Sequence, residues 1–411
     1  MEKYRYVIIG GGLAGQRACD GIRNVDTEGN IALVCAEAHL PYERPALSKG
    51  YLTGQEGLEH VLIKGEDYYE EQGIALLLGI AAIGLSPTER LVTLEDGLQI
   101  GYEKLLLATG GSPIRLPLPG SELEGVFVLR TIEDADRIRE AAQAGRRAVV
   151  LGGSFLGSEV TASLLTMGLE VAMVFPEERL LQRVFPEAAS AHLRALFEAK
   201  GARILSANKP ACFEGDGGVQ RVVLEDGTVL PTDLVVMGVG IRLNTKLAQE
   251  AGLEMAERGA VVVDAYLRTS DANIYAVGDI AAWPSSTFGK TLRVEHWDVA
   301  RRQGRRAGSN MAGDEKRYAS LPYFYSDIFD LNIEAWGDLS AWDRVVLRGD
   351  LEANRFAYYY FAGGTLTGVL ASGRPKTELD PMQALVKARP GYEAVAARLA
   401  DESVELESLL S

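Results

Sequence analysis

An apolar segment near the start of the chain, Tyr4–Ile9, carries one charged residue and runs directly into the glycine-rich segment Gly10–Gly15. A short apolar run that ends at turn residues is typical of a buried strand. The residues that follow, Gln16–Asn24, are predicted to form a helix, and the apolar segment Ile31–Cys35 is predicted to form a second strand. This order of strand, turn, helix and strand is typical of an α/β fold with a parallel sheet.

The same pattern returns in the middle of the chain. Arg147–Leu151 is predicted as a strand, Gly152–Gly157 as a turn, Ser158–Met167 as a helix and Glu170–Val174 as the next strand, so the chain repeats one unit internally. Past Pro322 the pattern changes to short strands and two helices, which predicts an α+β domain with its own small core. The predicted elements of this last part are Ile333–Trp336, Arg344–Arg348, Phe356–Phe361, Thr367–Leu370, Met382–Lys387 and Tyr392–Leu399.

The first glycine turn has the spacing of a dinucleotide-binding loop. Gly10 permits a sharp turn, Gly12 lets the backbone approach a pyrophosphate, and Gly15 lets the helix pack closely on the strand. The free N–H groups at the start of the helix then face the phosphates. Glu37 stands about 20 residues further on, where a carboxylate binds an adenosine ribose. We therefore predict that this turn binds a dinucleotide.

The second glycine turn differs from the first at one position. Its glycines are Gly152, Gly153 and Gly157, and Ser154 stands where the second glycine of the spacing is expected. A serine is small, so it narrows the approach of a pyrophosphate without abolishing it. The second turn is therefore also predicted to bind a dinucleotide.

The residues after the next strand bear on the choice of nicotinamide nucleotide. Phe175 occupies the usual position of the ribose acid, and Glu177 and Glu178 follow it. Carboxylates repel a 2′-phosphate, so the sequence favours NADH over NADPH, although Arg179 beside them keeps NADPH open. Gly240, after a further apolar strand, predicts a close backbone approach to the nicotinamide half.

Composition and charge limit the other partners. A net charge of −15 over 411 residues opposes binding to nucleic acid or to an anionic membrane. No apolar run reaches the length of about 18 residues that a membrane-spanning helix needs. Because the first predicted strand begins at Tyr4, we expect no leader peptide and a cytoplasmic protein. We also expect no metal site.

The three cysteines argue against a redox dithiol. Cys19, Cys35 and Cys212 are far apart and form no Cys-x-x-Cys pair. Each lies in an apolar or helical context, which is typical of a buried small hydrophobic residue. A dithiol relay through this chain is therefore not expected.

Several motifs taken together resemble one superfamily. Besides the glycine turns they are Pro41–Lys49, Ala108–Gly110, Asn273–Asp279, Val294–Asp298 and Pro322–Asp327. Over nearly the whole chain they resemble the FAD-dependent pyridine nucleotide-disulfide oxidoreductases, in the branch of the ferredoxin, putidaredoxin and rubredoxin reductases and the apoptosis-inducing-factor-like oxidoreductases. The resemblance implies an FAD domain in two parts, residues 1–113 and 243–320, with an NAD(P)H domain between them at residues 114–242. A C-terminal α+β domain follows at residues 321–411.

The resemblance also implies roles for particular residues. Lys49 and Glu159 match an ion pair beside flavin N5, Phe155 matches a ring that covers the flavin until nicotinamide displaces it, and Tyr325 stands where relatives often have tryptophan. A lysine at that place stabilises the negative charge of a reduced flavin. Together, the fingerprints and the resemblance assign nucleotide binding to Gly10, Gly12, Gly15, Glu37, Arg44, Lys49, Thr109, Gly110, Arg130, Gly152, Gly153, Gly157, Glu177, Gly240, Asp279, Glu295, His296, Trp297 and Tyr325.

The implied reaction is hydride transfer from NADH to FAD, followed by electron transfer to an acceptor. Without a dithiol, the acceptor is expected to be a ferredoxin- or rubredoxin-type protein. Four arginines, Arg301, Arg302, Arg305 and Arg306, lie on one face of a predicted helix. This face is either the docking surface for that acceptor or a solvated face paired with nearby carboxylates.

Two further functions stay open at this point. The first is an NADH oxidase or diaphorase that gives electrons to oxygen or to small molecules. The second is an NADH-sensing interaction protein like the apoptosis-inducing factors. The chain is expected to be a monomer or a homodimer.

Overall fold

A computed structural model describes residues 2–410 of the chain. The described residues divide into two compact units. The first runs to Glu43 and continues through Leu58–Ser112 and Arg242–Pro322, and the second comprises Arg44–Gly57, Pro113–Ile241 and the chain from Tyr323 onward. The division into four segments that the resemblance implies stays a prediction.

The α-helices of the described residues range in length from 4 to 15 residues. None of the helices between residues 2 and 410 is long and apolar enough to cross a membrane. The α-helices are α1 (Leu13–Arg23), α2 (Gly50–Thr53), α3 (Leu58–Val61), α4 (Glu66–Glu71), α5 (Ile132–Ala144), α6 (Phe155–Thr166), α7 (Glu187–Ala199), α8 (Lys246–Glu250), α9 (Trp297–Met311), α10 (Lys376–Ala388) and α11 (Tyr392–Ala400).

The strands pair in parallel next to the two glycine turns and in antiparallel fashion in the C-terminal sheet. They are β1 (Glu2–Ile9), β2 (Ile31–Cys35), β3 (Ile74–Leu78), β4 (Ala82–Ser86), β5 (Leu91–Leu94), β6 (Gln99–Leu107), β7 (Gly111–Pro113), β8 (Val126–Val128), β9 (Arg147–Leu151), β10 (Glu170–Val174), β11 (Arg203–Leu205), β12 (Pro210–Glu214), β13 (Arg221–Leu224), β14 (Val229–Pro231), β15 (Leu234–Met237), β16 (Ile241–Leu243), β17 (Val261–Val262), β18 (Ile274–Ala276), β19 (Ala281–Ser285), β20 (Lys290–Leu292), β21 (Tyr323–Ile328), β22 (Leu331–Gly337), β23 (Arg344–Asp350), β24 (Arg355–Ala362) and β25 (Thr365–Ser372).

In the first unit, β1 is an inner strand of a sheet with the order β3-β2-β1-β6-β5-β4, and β18 also pairs with β6. Strand β1 is parallel to both β2 and β6. Its last four residues, Tyr6–Ile9, are buried, which explains the apolar run in the sequence. The chain order reverses on the two sides of β1, and sheets of this kind bind ligands at the carboxyl end of such a strand.

The second unit repeats this arrangement around β9. The sheet has the order β11-β10-β9-β15-β8, and all of its strands are parallel. A small antiparallel sheet, β12-β13-β14, is attached to the same segment of chain. Its last two strands are joined by a hairpin turn, at which Gly227 has a φ of +85°.

Helices α1 and α6 begin earlier than predicted, at Leu13 and Phe155. The prediction treated each whole glycine segment as turn. In the structure Gly12 and Ser154 are extended N-cap residues, and the helix starts directly after them. The last glycine of each segment therefore lies in the first turn of its helix, where it serves packing.

The C-terminal residues form an antiparallel sheet with the order β21-β22-β25-β24-β23. One face of this sheet belongs to the same hydrophobic core as the middle of the chain, and this core includes Phe185 and Leu193 together with Leu331, Tyr358 and Leu370. Strands β24 and β25 are buried on both faces, so a small core of the C-terminal domain on the other face stays a prediction. An open sheet with an apolar face must bury that face on another element, and here residues of the second parallel-sheet region supply the cover.

Candidate functional site

The first glycine turn lies at the carboxyl end of β1. Gly10 has a φ of +120°, and a Cβ at this residue would lie 2.2 Å from the carbonyl oxygen of Ala108. A Cβ at Gly15 would lie 2.0 Å from the carbonyl oxygen of Gly10. At Gly12, in contrast, nothing lies within 4 Å of an added Cβ. The turn is thus closely packed at Gly10 and Gly15 and open at Gly12, and the open position fits a pyrophosphate at the start of α1.

Glu37 follows β2, the strand next to β1. Its carboxylate accepts a hydrogen bond from the hydroxyl of Tyr42 at 2.5 Å. Tyr42 is buried and fixes the orientation of this acid, a role that the sequence did not reveal. The position after the second strand is the one expected for a ribose-binding carboxylate.

A second part of the first unit comes close to the same turn. Gly278 has a φ of +72° and precedes Asp279, and its N–H donates to Oε1 of the buried Gln303 at 2.9 Å. The Nε2 atom of Gln303 is buried and has no hydrogen-bond partner among residues 2–410. A Cβ at Gly304 would lie 2.2 Å from the carbonyl oxygen of Ala14 in α1. The structure thus brings Gly278, Asp279 and the first glycine turn together, with a buried donor that fits a polar ligand.

Thr109 and Gly110 contact another segment of the chain. The hydroxyl of Thr109 donates to the carbonyl oxygen of Asn244 at 2.6 Å, and the N–H of Asn244 donates to the carbonyl oxygen of Gly110 at 2.9 Å. Small residues after the buried strand β6 therefore permit the close approach of a neighbouring loop. Asn244 was not identified from the sequence.

Glu295, His296 and Trp297 lie at the start of α9, where His296 is the N-cap residue. Burial lowers the pKa of His296 to about 4, although the carboxylate of Asp298 raises it in part. His296 is therefore neutral at neutral pH. Glu295 pairs with Arg293 at 2.5 Å, and the indole N–H of Trp297 donates to the carboxylate of Glu43.

The arginine face of α9 is largely paired within the chain. Arg301 and Arg302 both pair with the buried Asp298, at 2.6 and 2.5 Å, and Arg306 lies 3.4 Å from Asp314. Arg305 is exposed. The four cations do share one helix, as predicted, but carboxylates of the same unit offset most of their charge.

In the second unit, the glycine turn after β9 repeats the packing of the first turn. Gly152 has a φ of +121°, and a Cβ at Gly157 would lie 2.0 Å from the carbonyl oxygen of Gly152. The hydroxyl of Ser154 donates to the carbonyl oxygen of Gly238 at 3.3 Å. The unexpected serine is thus bonded to the end of the neighbouring strand β15. A Cβ at Gly153 would lie 2.7 Å from the ring of Phe175, which explains why a glycine is needed there.

The loop after β10 carries Glu177, Glu178 and Arg179. The backbone N–H groups of Glu178 and Arg179 donate to Oε1 of Gln182, which shapes the loop. Nη1 of Arg179 is buried and has no hydrogen-bond partner among the described residues. The loop thus presents two carboxylates and one cation. Gly240 lies in a different segment, after the strand β15, and has a φ of +112°.

Lys49 and Glu159 form the ion pair that the resemblance implies. Nζ of Lys49 lies 3.2 Å from Oε1 of Glu159, and Glu159 is only 8% exposed. The hydroxyl of Ser48 donates to Oε2 of Glu159, and the hydroxyl of Ser326 donates to Oε1, each at 2.6 Å. Three donors therefore hold this buried carboxylate in position. The hydroxyl of Ser163 also donates to the carbonyl oxygen of Ser48, which anchors the loop.

Aromatic rings lie next to this pair. Nζ of Lys49 lies 4.9 Å from the centre of the Tyr325 ring, a cation–π arrangement. Phe155, the first residue of α6, contacts Phe324 edge-on with a centroid distance of 4.9 Å. The structure thus brings Lys49, Glu159, Phe155 and Tyr325 together within one unit.

Arg44 and Arg130 also meet in the second unit. A guanidinium N–H of Arg44 donates to the carbonyl oxygen of Arg130, and the backbone N–H of Arg130 donates to Asp134 at 3.0 Å. Asp134 and Thr131 form a capping box at the start of α5. Arg44 is thus directed at the start of this helix.

Sequence reasoning missed Ser48, Ser326 and Asp327 as parts of the site. Ser48 directly precedes the identified Lys49, Ser326 directly follows the identified Tyr325, and Asp327 is the next residue after Ser326. Hydroxyl residues beside a candidate buried ion pair were the available signal. Their bonds to Glu159 depend on tertiary contacts between separate chain segments, which spacing alone does not reveal.

The cysteines are unsuited to a dithiol relay. Burial raises the pKa of Cys35 to about 12 and raises the pKa of Cys19 as well. Cys212 lies on β12, away from both of these elements in the chain. A thiolate is the reactive form in thiol–disulfide exchange, and these environments disfavour it.

Comparison with known protein families shows which family models the chain matches. Residues 4–304 match the family model described as pyridine nucleotide-disulphide oxidoreductase. The chain belongs to this oxidoreductase family. Residues 323–410 of this family member also match the model described as reductase C-terminal. The predictions of FAD and NAD(P)H as cofactors and of an α/β fold with two dinucleotide-binding domains and a C-terminal sheet domain are confirmed.

Characterised relatives extend over the full length of this oxidoreductase. The ferredoxin–NAD(+) reductase component of the anthranilate 1,2-dioxygenase system of Burkholderia cepacia is 33% identical, with 100% of each chain covered. A monodehydroascorbate reductase of Solanum lycopersicum is 34% identical, with 99% of each chain covered. The reductase in the crystal structure of the covalent putidaredoxin reductase–putidaredoxin complex is 32% identical, with a TM-score of 0.93 and coverage of 100% of this chain and 98% of that chain.

Proposed function

We propose that this oxidoreductase carries FAD, takes electrons from NADH and passes them to a ferredoxin-type iron–sulfur protein. The observation that carries the proposal is the Lys49–Glu159 pair, in which three donors fix a buried carboxylate on α6, the helix that begins at the second glycine turn. When it is bound, FAD supplies the redox chemistry, namely hydride acceptance and electron release. The chain supplies nucleotide binding, orientation and charge.

The proposed FAD residues of the first unit follow the carboxyl ends of its parallel strands. Gly10, Gly12 and Gly15 would hold the pyrophosphate with the free N–H groups of α1, and Glu37 would accept a ribose hydroxyl. Asp279 would accept a hydroxyl of the ribityl chain. Further proposed FAD contacts come from Arg44, Lys49, Thr109, Gly110, Arg130, Glu295, His296, Trp297 and Tyr325.

The proposed NADH residues are those of the second glycine turn. Gly152, Gly153 and Gly157 would hold its pyrophosphate at the start of α6, and Glu177 would accept the 2′-hydroxyl of its ribose. A 2′-phosphate would meet the charge of this carboxylate, which supports NADH over NADPH.

Lys49 would keep a positive charge next to the flavin, and Glu159 would hold the lysine in position. The ammonium group is 20% exposed and has carboxylate and ring contacts, so it is held in a narrow range of positions. Phe155, at the first turn of α6, would cover the flavin face until nicotinamide takes its place.

The iron–sulfur acceptor is supported by the Burkholderia relative and by the putidaredoxin complex. We propose that the acceptor docks near Arg301, Arg302, Arg305 and Arg306. With a net charge of −15, the chain would repel an acidic ferredoxin globally, so a local basic surface is required for fast association.

A small organic radical is the second candidate acceptor. Carboxylates of the same unit pair with Arg301, Arg302 and Arg306. Arg305 is exposed and has no ion-pair partner among residues 2–410, so little basic surface is left for an acidic protein, which favours the small acceptor. The tomato relative named monodehydroascorbate reductase has comparable identity.

Stopped-flow measurements on the FAD-loaded chain separate these candidates. Reduction by NADH is compared with reduction by NADPH, and reoxidation is then followed with a [2Fe–2S] ferredoxin, with monodehydroascorbate and with oxygen. We expect NADH and the ferredoxin to give the fastest reactions. Equal reoxidation with and without ferredoxin would refute the proposed acceptor.

The docking surface is tested with Arg305→Glu and with Arg203→Glu as a charge-matched control at another exposed position. Loss of ferredoxin rate at low ionic strength in the Arg305 variant alone would support docking at α9. An equal rate and an equal salt dependence in both variants would exclude it.

A further inference from the structure

We propose that Asp327 is a second counter-ion of Lys49 and sets the net charge that the Lys49–Glu159 pair presents to the flavin. The proposal rests on the proposed function. It assigns to Asp327 a positioning and charge-setting role that is separate from that of Glu159.

Asp327 is built into the site from two sides. Its Oδ2 atom lies 3.6 Å from Nζ of Lys49. Its Oδ1 atom accepts a hydrogen bond from Nδ2 of Asn332 at 2.9 Å, across the β21–β22 hairpin in which the two residues are direct partners. One oxygen is thus held by the neighbouring strand while the other faces the lysine.

The two carboxylates of Lys49 differ in their surroundings. The Glu159 side chain is 10% exposed and receives two hydroxyl hydrogen bonds, so its position is fixed by the protein. The Asp327 side chain is 44% exposed and lies next to solvent. The buried acid therefore holds the lysine, and the exposed acid adds a charge that is not needed for that purpose.

The local charges do not balance. One ammonium faces two carboxylates, which leaves the group of Lys49, Glu159 and Asp327 with one net negative charge. The face of the Tyr325 ring, 4.9 Å from Nζ, also carries negative potential. The carboxylate of Asp327 therefore repels the negative charge that a reduced flavin would place beside Lys49. A neutral residue at position 327 would remove this repulsion.

The ion pair is tested first in the FAD-free protein, by competitive acylation of its amines and mass spectrometry of the peptide that contains Lys49. Loss of a nearby anion lowers the pKa of a lysine, and a fall of half a unit raises the reactive amine fraction about threefold. We expect Asp327→Asn to raise the labelling rate of Lys49 by about that factor or more. Asp327→Glu should restore the original rate, and Asp330→Asn, at an exposed acid on the turn of the same hairpin, should leave it unchanged.

The effect on the flavin is tested by redox titration of the FAD-loaded variants. We expect the midpoint potential of Asp327→Asn to be more positive than that of the unchanged protein, whereas Asp327→Glu and Asp330→Asn keep the original value. A labelling rate or a midpoint potential that Asp327→Asn does not change would overturn the proposal. A chain that binds no FAD at all would refute the proposed function, whatever the labelling shows, so the two failures are distinguishable.

Discussion

At the scale of single residues, the environment decides what each ionisable group can do. Glu159 is buried, and the hydroxyls of Ser48 and Ser326 donate to its carboxyl group while Lys49 pairs with it. His296 is also buried, and desolvation lowers its pKa to about 4, although the carboxylate of Asp298 raises it in part. Desolvation disfavours a charge, and hydrogen bonds to the charged form restore it.

The low pKa of His296 predicts a pH dependence of stability in the FAD-free protein. The usual value of 6.5 falls to about 4 in the folded state. Between these values the unfolded chain binds a proton that the folded chain does not, so stability decreases as the pH falls from about 6.5 to about 4. The expected loss is roughly 2–3 kcal/mol.

Urea unfolding at pH values across this window measures the effect. His296→Gln removes the titrating group, and the difference in unfolding free energy between the two proteins should therefore change with pH only within the window. A constant difference would show that His296 keeps an ordinary pKa in the folded chain.

At the scale of the elements, each glycine turn and the helix that follows it pack together as one structural unit. Gly15 is needed because the first turn of α1 lies against the backbone of Gly10, and Gly157 has the same relation to Gly152. Gly12 has a different status, since an added Cβ there meets nothing within 4 Å. The two kinds of glycine should therefore respond differently to substitution.

Substitution of each glycine by alanine tests this difference. Gly15→Ala should lower the unfolding free energy of the FAD-free protein by about 1–3 kcal/mol, because backbone atoms must move. Gly12→Ala should change it by less than about 1 kcal/mol, since its extended backbone suits alanine. It should nevertheless weaken FAD binding, as measured by fluorescence titration. Full FAD affinity in Gly12→Ala would show that the pyrophosphate does not approach this residue.

At the scale of the whole molecule, the second unit is held together by a core that crosses the predicted domain boundary. Leu193 on α7 and Leu331 on β22 belong to the same buried cluster, although they lie far apart in the sequence. A shared core couples the stability of the segments that contribute to it.

This core predicts common unfolding of the two segments. Leu193→Ala and Leu331→Ala should each lower the unfolding free energy by about 2–5 kcal/mol. Hydrogen exchange should accelerate in α7 and in β22 together, whichever residue is changed. Val229→Ala, at a hydrophobic residue that is 50% exposed, is the matched control and should have little effect. Faster exchange confined to the mutated segment would show two independent cores.

The sequence by itself determined the elements whose signals are local. Strands β2, β9 and β10 were predicted with their observed bounds, because buried parallel strands are short apolar runs with clear ends. The two glycine turns and the family resemblance followed from spacing along the chain. The starts of α1 and α6 were placed too late because glycine and serine are suitable both for a turn and for the first residues of a helix.

Only the tertiary structure decided which distant residues act together. The hydroxyl bonds of Ser48 and Ser326 to Glu159 and the position of Asp327 beside Lys49 join separate stretches of chain. The shared core of the middle and C-terminal segments has the same origin. A residue's charge state and partners depend on burial and on distances in space, and neither quantity is written in the spacing of residues along the chain.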